Sequence, residues 1–257
     1  MTDKQHPPKL TPKHQLLQQQ LAELKLTQIA ALYAEVLDEA ARKNSSAFDV
    51  LSALVGAELT ARHQRALQRR IREARLPPRK TVEEFEFTFP KRIPKQKILR
   101  LCDCEFVTQR GCAVFIGPTG TGKTHFLTVL GYAACERQFT VRFTRVVDML
   151  NELTTAQIQG TLRKALRPYT RPDLLLLDEL GYLPIDKRGA DLMFQVVAAR
   201  YERGSTVVST NRPFRDWGKT FDLDNTLATA LIDRLMHHGE PVTIEGDSYR
   251  LKDKRPD

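Results

Sequence analysis

At 257 residues the chain has room for one large domain or two smaller ones, and its 41% hydrophobic content can fill a core. A net charge of +9 points to an anionic partner, nucleic acid or a membrane surface. No apolar run approaches the length of a bilayer span, and the polar, proline-broken start (MTDKQHPPKLTPKH) excludes a signal peptide, so a cytoplasmic protein is expected.

In chain order, residues 1–14 read as a disordered tail. A helical pattern begins at Leu16; Leu17, Leu21 and Leu24 follow one face, and Leu26, Ile29, Tyr33, Val36, Leu37 and Ala40 continue at three- and four-residue steps. Asn44-Ser45-Ser46 breaks it. Ser46 with Asp49 three positions on resembles a capping box, and predicts a second helix to about Arg75 with Phe48, Leu51, Val55 and Leu59 on its inner face. Pro77-Pro78 ends that helix.

The second half of this helix is basic. Arg62, Arg65, Arg69 and Arg72 recur at spacings that place four guanidinium groups along one helix face. From Arg62 to Arg100 there are 13 Lys or Arg against 4 acidic residues, an excess equal to the net charge of the whole chain. A solvated face is the ordinary reading of such a run. Its concentration in one segment favours contacts to a phosphate backbone.

Residues 79–95 form a linker. Phe85, Phe87 and Phe89 alternate, which predicts an extended piece with its aromatic side packed on a domain. A short helix over Gln96–Val107 follows. Strands are then predicted at Cys112–Ile116, Thr140–Thr144, Asp173–Leu177, Ser205–Ser209 and Pro241–Glu245. Helices are predicted at His125–Cys135, Val146–Leu166 (interrupted near Thr154-Thr155 and Gly160), Gly189–Tyr201 and Leu223–His238. Alternation of this kind means a parallel sheet with helices on both faces. The domain plan is a tail over 1–14, a helical domain over 15–78, the linker over 79–95 and an α/β domain over 96–257. Cys102, Cys104, Cys112 and Cys135 contain no CxxC pair and read as reduced structural thiols; His237-His238 reads as a polar helix end.

The chemistry is carried by Gly117-Pro118-Thr119-Gly120-Thr121-Gly122-Lys123-Thr124, which fits the phosphate-loop pattern G-x-x-x-x-G-K-[ST] between a predicted strand and a predicted helix. Its backbone N–H groups and the helix N-terminus suit phosphate oxygens, Lys123 would reach the β- and γ-phosphates of ATP, and Thr124 would hold Mg2+. Four leucines followed by Asp178-Glu179 form the matching acidic strand end. Asp178 would share the magnesium and Glu179 would polarise the attacking water. Asn211, also at a predicted strand end, could orient that water or touch the γ-phosphate. For Arg234 and Arg250, composition and spacing do not distinguish a salt-bridge partner from an arginine acting on phosphate, nor action in cis from action in trans.

The segments GPTGTGKT, LLLLDELGYLPID, GADLMFQVVAARYERGSTVVSTNRPFRDWGK and TLATALIDRLMHHGEPVTIEGDSYRLKD together resemble the IstB-like family, AAA+ transposition helper ATPases that accompany a transposase in bacterial insertion sequences. The resemblance covers nearly the whole chain and is strongest from Cys112 to Asp253. It implies an AAA+ P-loop core with a reduced C-terminal lid, preceded by a small all-α domain, and ATP bound between subunits of a homo-oligomer. By the same resemblance Arg234 matches the arginine finger, Arg250 the sensor-two arginine and Asn211 sensor one. The broken helix Val146–Leu166 matches the initiator-specific insertion, with Arg163, Lys164 and Arg167 as candidate DNA contacts beside the Arg62–Arg72 stripe. The implied function is ATP-dependent assembly on duplex DNA, bending it and recruiting a cognate transposase. Two alternatives stand beside it: a DnaC-type helicase loader on single-stranded DNA, and a metabolic P-loop kinase, which would have no use for the basic segment.

Overall fold

The computed structural model describes residues 12–89 and 92–249. The chain divides into two compact units, Met1–Gln68 and Arg69–Asp257. The division falls ten residues before the predicted end of the helical domain, because it cuts within the third helix.

The first unit holds α1 (Pro12–Glu23), α2 (Thr27–Lys43) and the start of α3 (Ala47–Ala74). Helix begins at Pro12, inside the predicted tail, and the single predicted helix is two: Lys25 takes a left-handed backbone (φ +56°) and turns the chain between them. The capping box forms as expected. Asp49 N–H donates to Ser46 Oγ at 3.2 Å, and Ser46 N–H donates to Asp49 Oδ2 at 3.1 Å.

The buried face of α3 is not the predicted one. Leu54 and Val50 pack with Leu21, Tyr33, Ile29 and Val36, while Phe48, Leu51, Val55 and Leu59 are exposed. The buried side also carries Glu58, which is only 3% exposed. Its Oε2 accepts the N–H groups of Gln28 (2.7 Å) and Ile29 (3.3 Å), the open first turn of α2, and its Oε1 takes Arg62 (3.1 Å) and Arg65 (3.0 Å). Burial alone would raise the carboxyl pKa. The two N–H groups and two guanidinium groups outweigh it, and the net effect is a lowered value. Glu58 thus lies along the Val50–Leu54 side of α3, where it caps α2.

In the second unit α3 ends before Arg75 (φ +54°). Residues 80–89 form two turns rather than an extended piece, closed by Phe85 N–H to Val82 O (3.1 Å) and Phe89 N–H to Glu86 O (3.4 Å). The expectation of aromatic packing holds: Phe85 lies 4.4 Å, centroid to centroid, from Phe126, and Phe89 lies 5.2 Å from Tyr249.

The predicted helix over 96–107 is α4 (Lys95–Cys102) and α5 (Glu105–Thr108), broken where Cys104 turns left-handed. Then come β1 (Cys112–Ile116), α6 (Lys123–Glu136), β2 (Val141–Arg145), α7 (Val146–Ile158), α8 (Leu162–Ala165), α9 (Arg167–Thr170), β3 (Leu174–Leu180), α10 (Lys187–Arg200), β4 (Ser205–Thr210), a 3-10 turn, α11 (Trp217–Thr220), α12 (Asn225–Met236) and β5 (Gly239–Thr243). All five strands are parallel in the order β2-β3-β4-β1-β5. Alternate strand residues Val114, Leu175, Leu177 and Val208 form one core with α7, α10 and α12; α6 covers the other face, with Phe126 stacked 6.0 Å from Phe115.

The predicted interruption at Thr154-Thr155 is absent, since Thr155 Oγ1 donates to Asn151 O within the helix (2.9 Å); the break falls at Gly160 (φ +71°). No described helix is long and apolar enough to cross a membrane.

Arg200 ties the lower edge of the sheet together. It is 1% exposed and donates to Thr206 Oγ1 and to the carbonyls of Tyr169, Pro172, Asp173 and Ser205 at 2.6–3.2 Å, closing the turns that feed β3 and β4. Burial lowers its pKa to about 10, still charged at neutral pH. Replacing Arg200 with Ala strands these acceptors and is expected to cost about 3 kcal/mol or more. Urea unfolding followed through the single, buried Trp217 checks it; a loss under about 1 kcal/mol would show that the carbonyls find other donors.

Candidate active site

Parallel strands bring their C-terminal ends to one edge, and the predicted residues collect there. The loop after β1 runs into α6, whose N-terminus has no side-chain cap. Its first N–H groups are therefore open to an anion. Gly120 (φ +83°) and Gly122 (φ +90°) have backbones that L side chains rarely adopt, and the packing leaves no room for a Cβ either. One at Gly120 would lie 2.1 Å from Ser248 Oγ; one at Gly122 would lie 2.3 Å from the Phe85 ring. Lys123 Nζ donates to the Gly117 and Pro118 carbonyls, both at 2.7 Å, and Thr121 Oγ1 donates to Pro118 O at 2.8 Å. The loop thus holds its curled form from within.

Beside it, Asp178 is 3% exposed near the end of β3. Its Oδ2 accepts the Thr124 hydroxyl at 2.8 Å and its Oδ1 accepts the Ser209 hydroxyl of β4. Ser209 Oγ also accepts Glu179 N–H at 3.0 Å. The register between β3 and β4 shifts between Leu177 and Leu180, and Glu179 sits at φ +63°. This irregularity turns the Glu179 side chain outward while Asp178 stays in. A non-glycine residue held there costs about 1–2 kcal/mol, offset by the neighbouring hydrogen bonds. Thr124 and Asp178 offer hard oxygen ligands of the kind that hold a small divalent cation.

A cleft of about 440 Å³ opens over this edge, lined by Thr119, Gly120, Gly122, Lys123, Thr124, Glu179 and Asn211 among others. The Asn211 amide oxygen is buried without a hydrogen-bond partner among the described residues, as befits a polar group awaiting a ligand or water. Gly117, Pro118 and Thr121 shape the loop from behind, outside the lining. Phe85, Glu86, His125 and Tyr249 also line the cleft. His125 follows the phosphate loop directly on α6, whereas the other three carry no sign in the sequence, because a residue brought in by a turn in the linker or by the chain beyond β5 has no local signature.

The remaining candidates lie elsewhere. Arg234 on α12 is half-buried, donates to Ala230 O (2.9 Å) and covers the Phe194 ring at 4.6 Å; it does not line its own chain's cleft. Arg163 and Lys164 (α8) and Arg167 (α9) are exposed. Arg69 and Arg72 are exposed, whereas Arg62 and Arg65 are partly committed to Glu58. Arg250 lies outside the described residues. The cysteines are free, and burial pushes Cys102, Cys104 and Cys135 up to about 11, as unreactive thiols.

Comparison with known proteins decides the family. The family described as IstB-like ATP binding protein matches residues 19–256. The chain belongs to it. An IstB-like relative from Bacillus thuringiensis subsp. berliner, named as an ATP-binding protein of insertion sequence IS232, is 39% identical over 240 residues, 93% of this chain and 96% of that one. The corresponding IS21 protein of Pseudomonas aeruginosa is 36% identical over 91% of this chain and 88% of its own. Among solved structures, AMPPCP-bound DnaA from Aquifex aeolicus is similar with a TM-score of 0.56 and 24% identity, over 70% of this chain and 54% of that one. That likeness is one of fold, and the fold is AAA+. β5 closes the sheet edge, and no helical lid follows it among the described residues.

Ser209 joins β4 to both acidic residues. Ser209→Ala is expected to weaken binding of a magnesium–nucleotide complex by about 1–3 kcal/mol, read by titrating a fluorescent ATP analogue with and without Mg2+. Equal affinity in the variant would show that Asp178 is held well enough by Thr124 alone.

Proposed function

We propose that this IstB-like protein is a magnesium-dependent ATPase that assembles on duplex DNA and recruits a transposase to its target. The observation that carries the hydrolytic part is the cleft in which Lys123, Thr124, Glu179 and Asn211 converge beside the buried Asp178. Lys123 and the α6 N-terminus take the phosphates. Thr124 and Asp178 hold Mg2+, which neutralises phosphate charge when bound. Glu179 accepts a proton from water, Asn211 positions that water, and Arg250 contacts the nucleotide as a sensor.

Arg234 supplies the transition-state cation to a neighbouring subunit. Its absence from its own cleft supports action in trans, and ATP then sits at a joint between copies. Names of relatives that place them in insertion sequences support transposition over helicase loading. The exposed Arg69, Arg72, Arg163, Lys164 and Arg167 contact DNA phosphates, with Arg62 and Arg65 contributing the half of each side chain that stays exposed (50% and 53%).

Two experiments test this. Arg234→Ala and Glu179→Gln should each abolish DNA-stimulated hydrolysis while leaving nucleotide binding intact. Mixed in equal amounts they should recover about a quarter of wild-type turnover, the share of joints with both partners whole. A mixture as inactive as its components would place Arg234 in cis or outside catalysis. For DNA, Arg69→Gln with Arg72→Gln should reduce the slope of log affinity against log salt by about 0.9 per lost contact; an unchanged slope would leave these side chains solvated.

A further inference from the structure

Behind the wall formed by Thr124, Asp178 and Glu179 lies a second cavity of about 440 Å³. Thr124 and Glu179 line both this cavity and the nucleotide cleft. Its outer wall carries three arginines, Arg75, Arg142 and Arg145. Arg142 is the informative one. It is 8% exposed on β2, its guanidinium carbon lies 5.5 Å from the Tyr169 ring centre, and its Nε is buried without a hydrogen-bond partner among the described residues. A buried cationic N–H left unmatched is costly, and its retention calls for an acceptor that arrives from outside.

Of the four acids that line the cavity, Asp148, Glu152 and Asp178 are already engaged. Asp148 takes Arg145 at 2.8 Å, and Glu152 accepts the Tyr169 hydroxyl at 2.6 Å. The Tyr169 hydroxyl also meets the Arg142 side chain, but Arg142 Nε finds no acceptor among the described residues.

We infer that this cavity is an oxyanion site that receives the inorganic phosphate set free by hydrolysis, which passes between Thr124 and Glu179 to Arg142. The inference rests on the hydrolytic reading above. In that reaction the bond from the γ-phosphorus to its bridging oxygen breaks and the water oxygen replaces it. One proton leaves through the base, and the freed dianion is left beside Asp178 and Glu179. ADP still fills the phosphate-loop side. Attraction to Arg142 favours departure through the back wall, where a guanidinium in a low-dielectric setting binds phosphate by charge-assisted hydrogen bonds. Arg75, exposed, stands at the cavity's outer side.

The test uses the full chain loaded with ADP, titrated calorimetrically with inorganic phosphate. Arg142→Met should weaken phosphate binding about tenfold or more, and Arg142→Lys should restore part of it. In rapid-mixing experiments with ATP and duplex DNA, cleavage in Arg142→Met should keep its wild-type rate while phosphate release, read with a fluorescent phosphate sensor, lags about tenfold behind. Should Arg142→Met fail to fold by thermal melting, the exposed Arg75→Gln is expected to weaken phosphate binding about threefold. Undiminished phosphate binding in these variants, or release that keeps pace with cleavage, overturns the inference. So does loss of binding in Lys123→Ala alone, which would put the phosphate on the loop, or loss of DNA affinity in Arg142→Met with phosphate unaffected, which would make the occupant a backbone phosphodiester. Cleavage without phosphate binding sinks only this site; phosphate binding with no cleavage on DNA sinks the hydrolytic reading instead.

Discussion

One buried carboxylate organises the catalytic edge. Asp178 receives hydroxyls from the phosphate-loop helix and from β4, so three segments far apart in sequence share a single acceptor. Ser209 is the tie among them, donating to Asp178 while accepting Glu179 N–H. A carboxylate this buried needs such partners. Those partners in turn fix the spacing between phosphate loop, Asp178 and Glu179. The irregular register of β3, the left-handed Glu179 and the cleft itself follow from satisfying that one group.

The same logic recurs away from the cleft. Glu58 in the first unit and Arg200 in the second are nearly fully buried ions whose bonds go largely to backbone groups at the ends of elements. Each closes open N–H or C=O groups that short turns would otherwise leave unmet. Charge in this protein therefore has two uses. A few buried ions set chain geometry, while the surplus cations stay on the surface.

Much of this was legible in the sequence. The apolar runs CAVFI and LLLL have no strongly polar residue to face water, which marks them as central parallel strands, and β1 runs over the very residues predicted. The phosphate loop and Asp178-Glu179 announced themselves by local pattern. What escaped depends on contacts between distant residues. The inner face of α3 was misjudged because Phe48 and Leu51 are more apolar than Glu58, and only the open first turn of α2 makes burying a glutamate favourable. The turns at Phe85 were hidden by alternation that mimics a strand. Lys25 and Cys104 break helices without glycine or proline. Tyr249 reaches the cleft from the end of the chain, with no motif to mark it.

Phe85 and Ser248 press on the two loop glycines from segments on opposite sides of it in sequence, and Tyr249 N–H donates to Gly120 O at 3.0 Å. The phosphate loop is therefore not a portable cassette. Grafting the eight residues into another P-loop scaffold would carry the pattern without the walls that shape it. Within this chain, positions 120 and 248, and likewise 122 and 85, are so close that a side chain at either glycine would clash as well as strain the backbone. A designer transplanting nucleotide affinity would have to move four sites together, two of them in segments that no phosphate-loop motif contains.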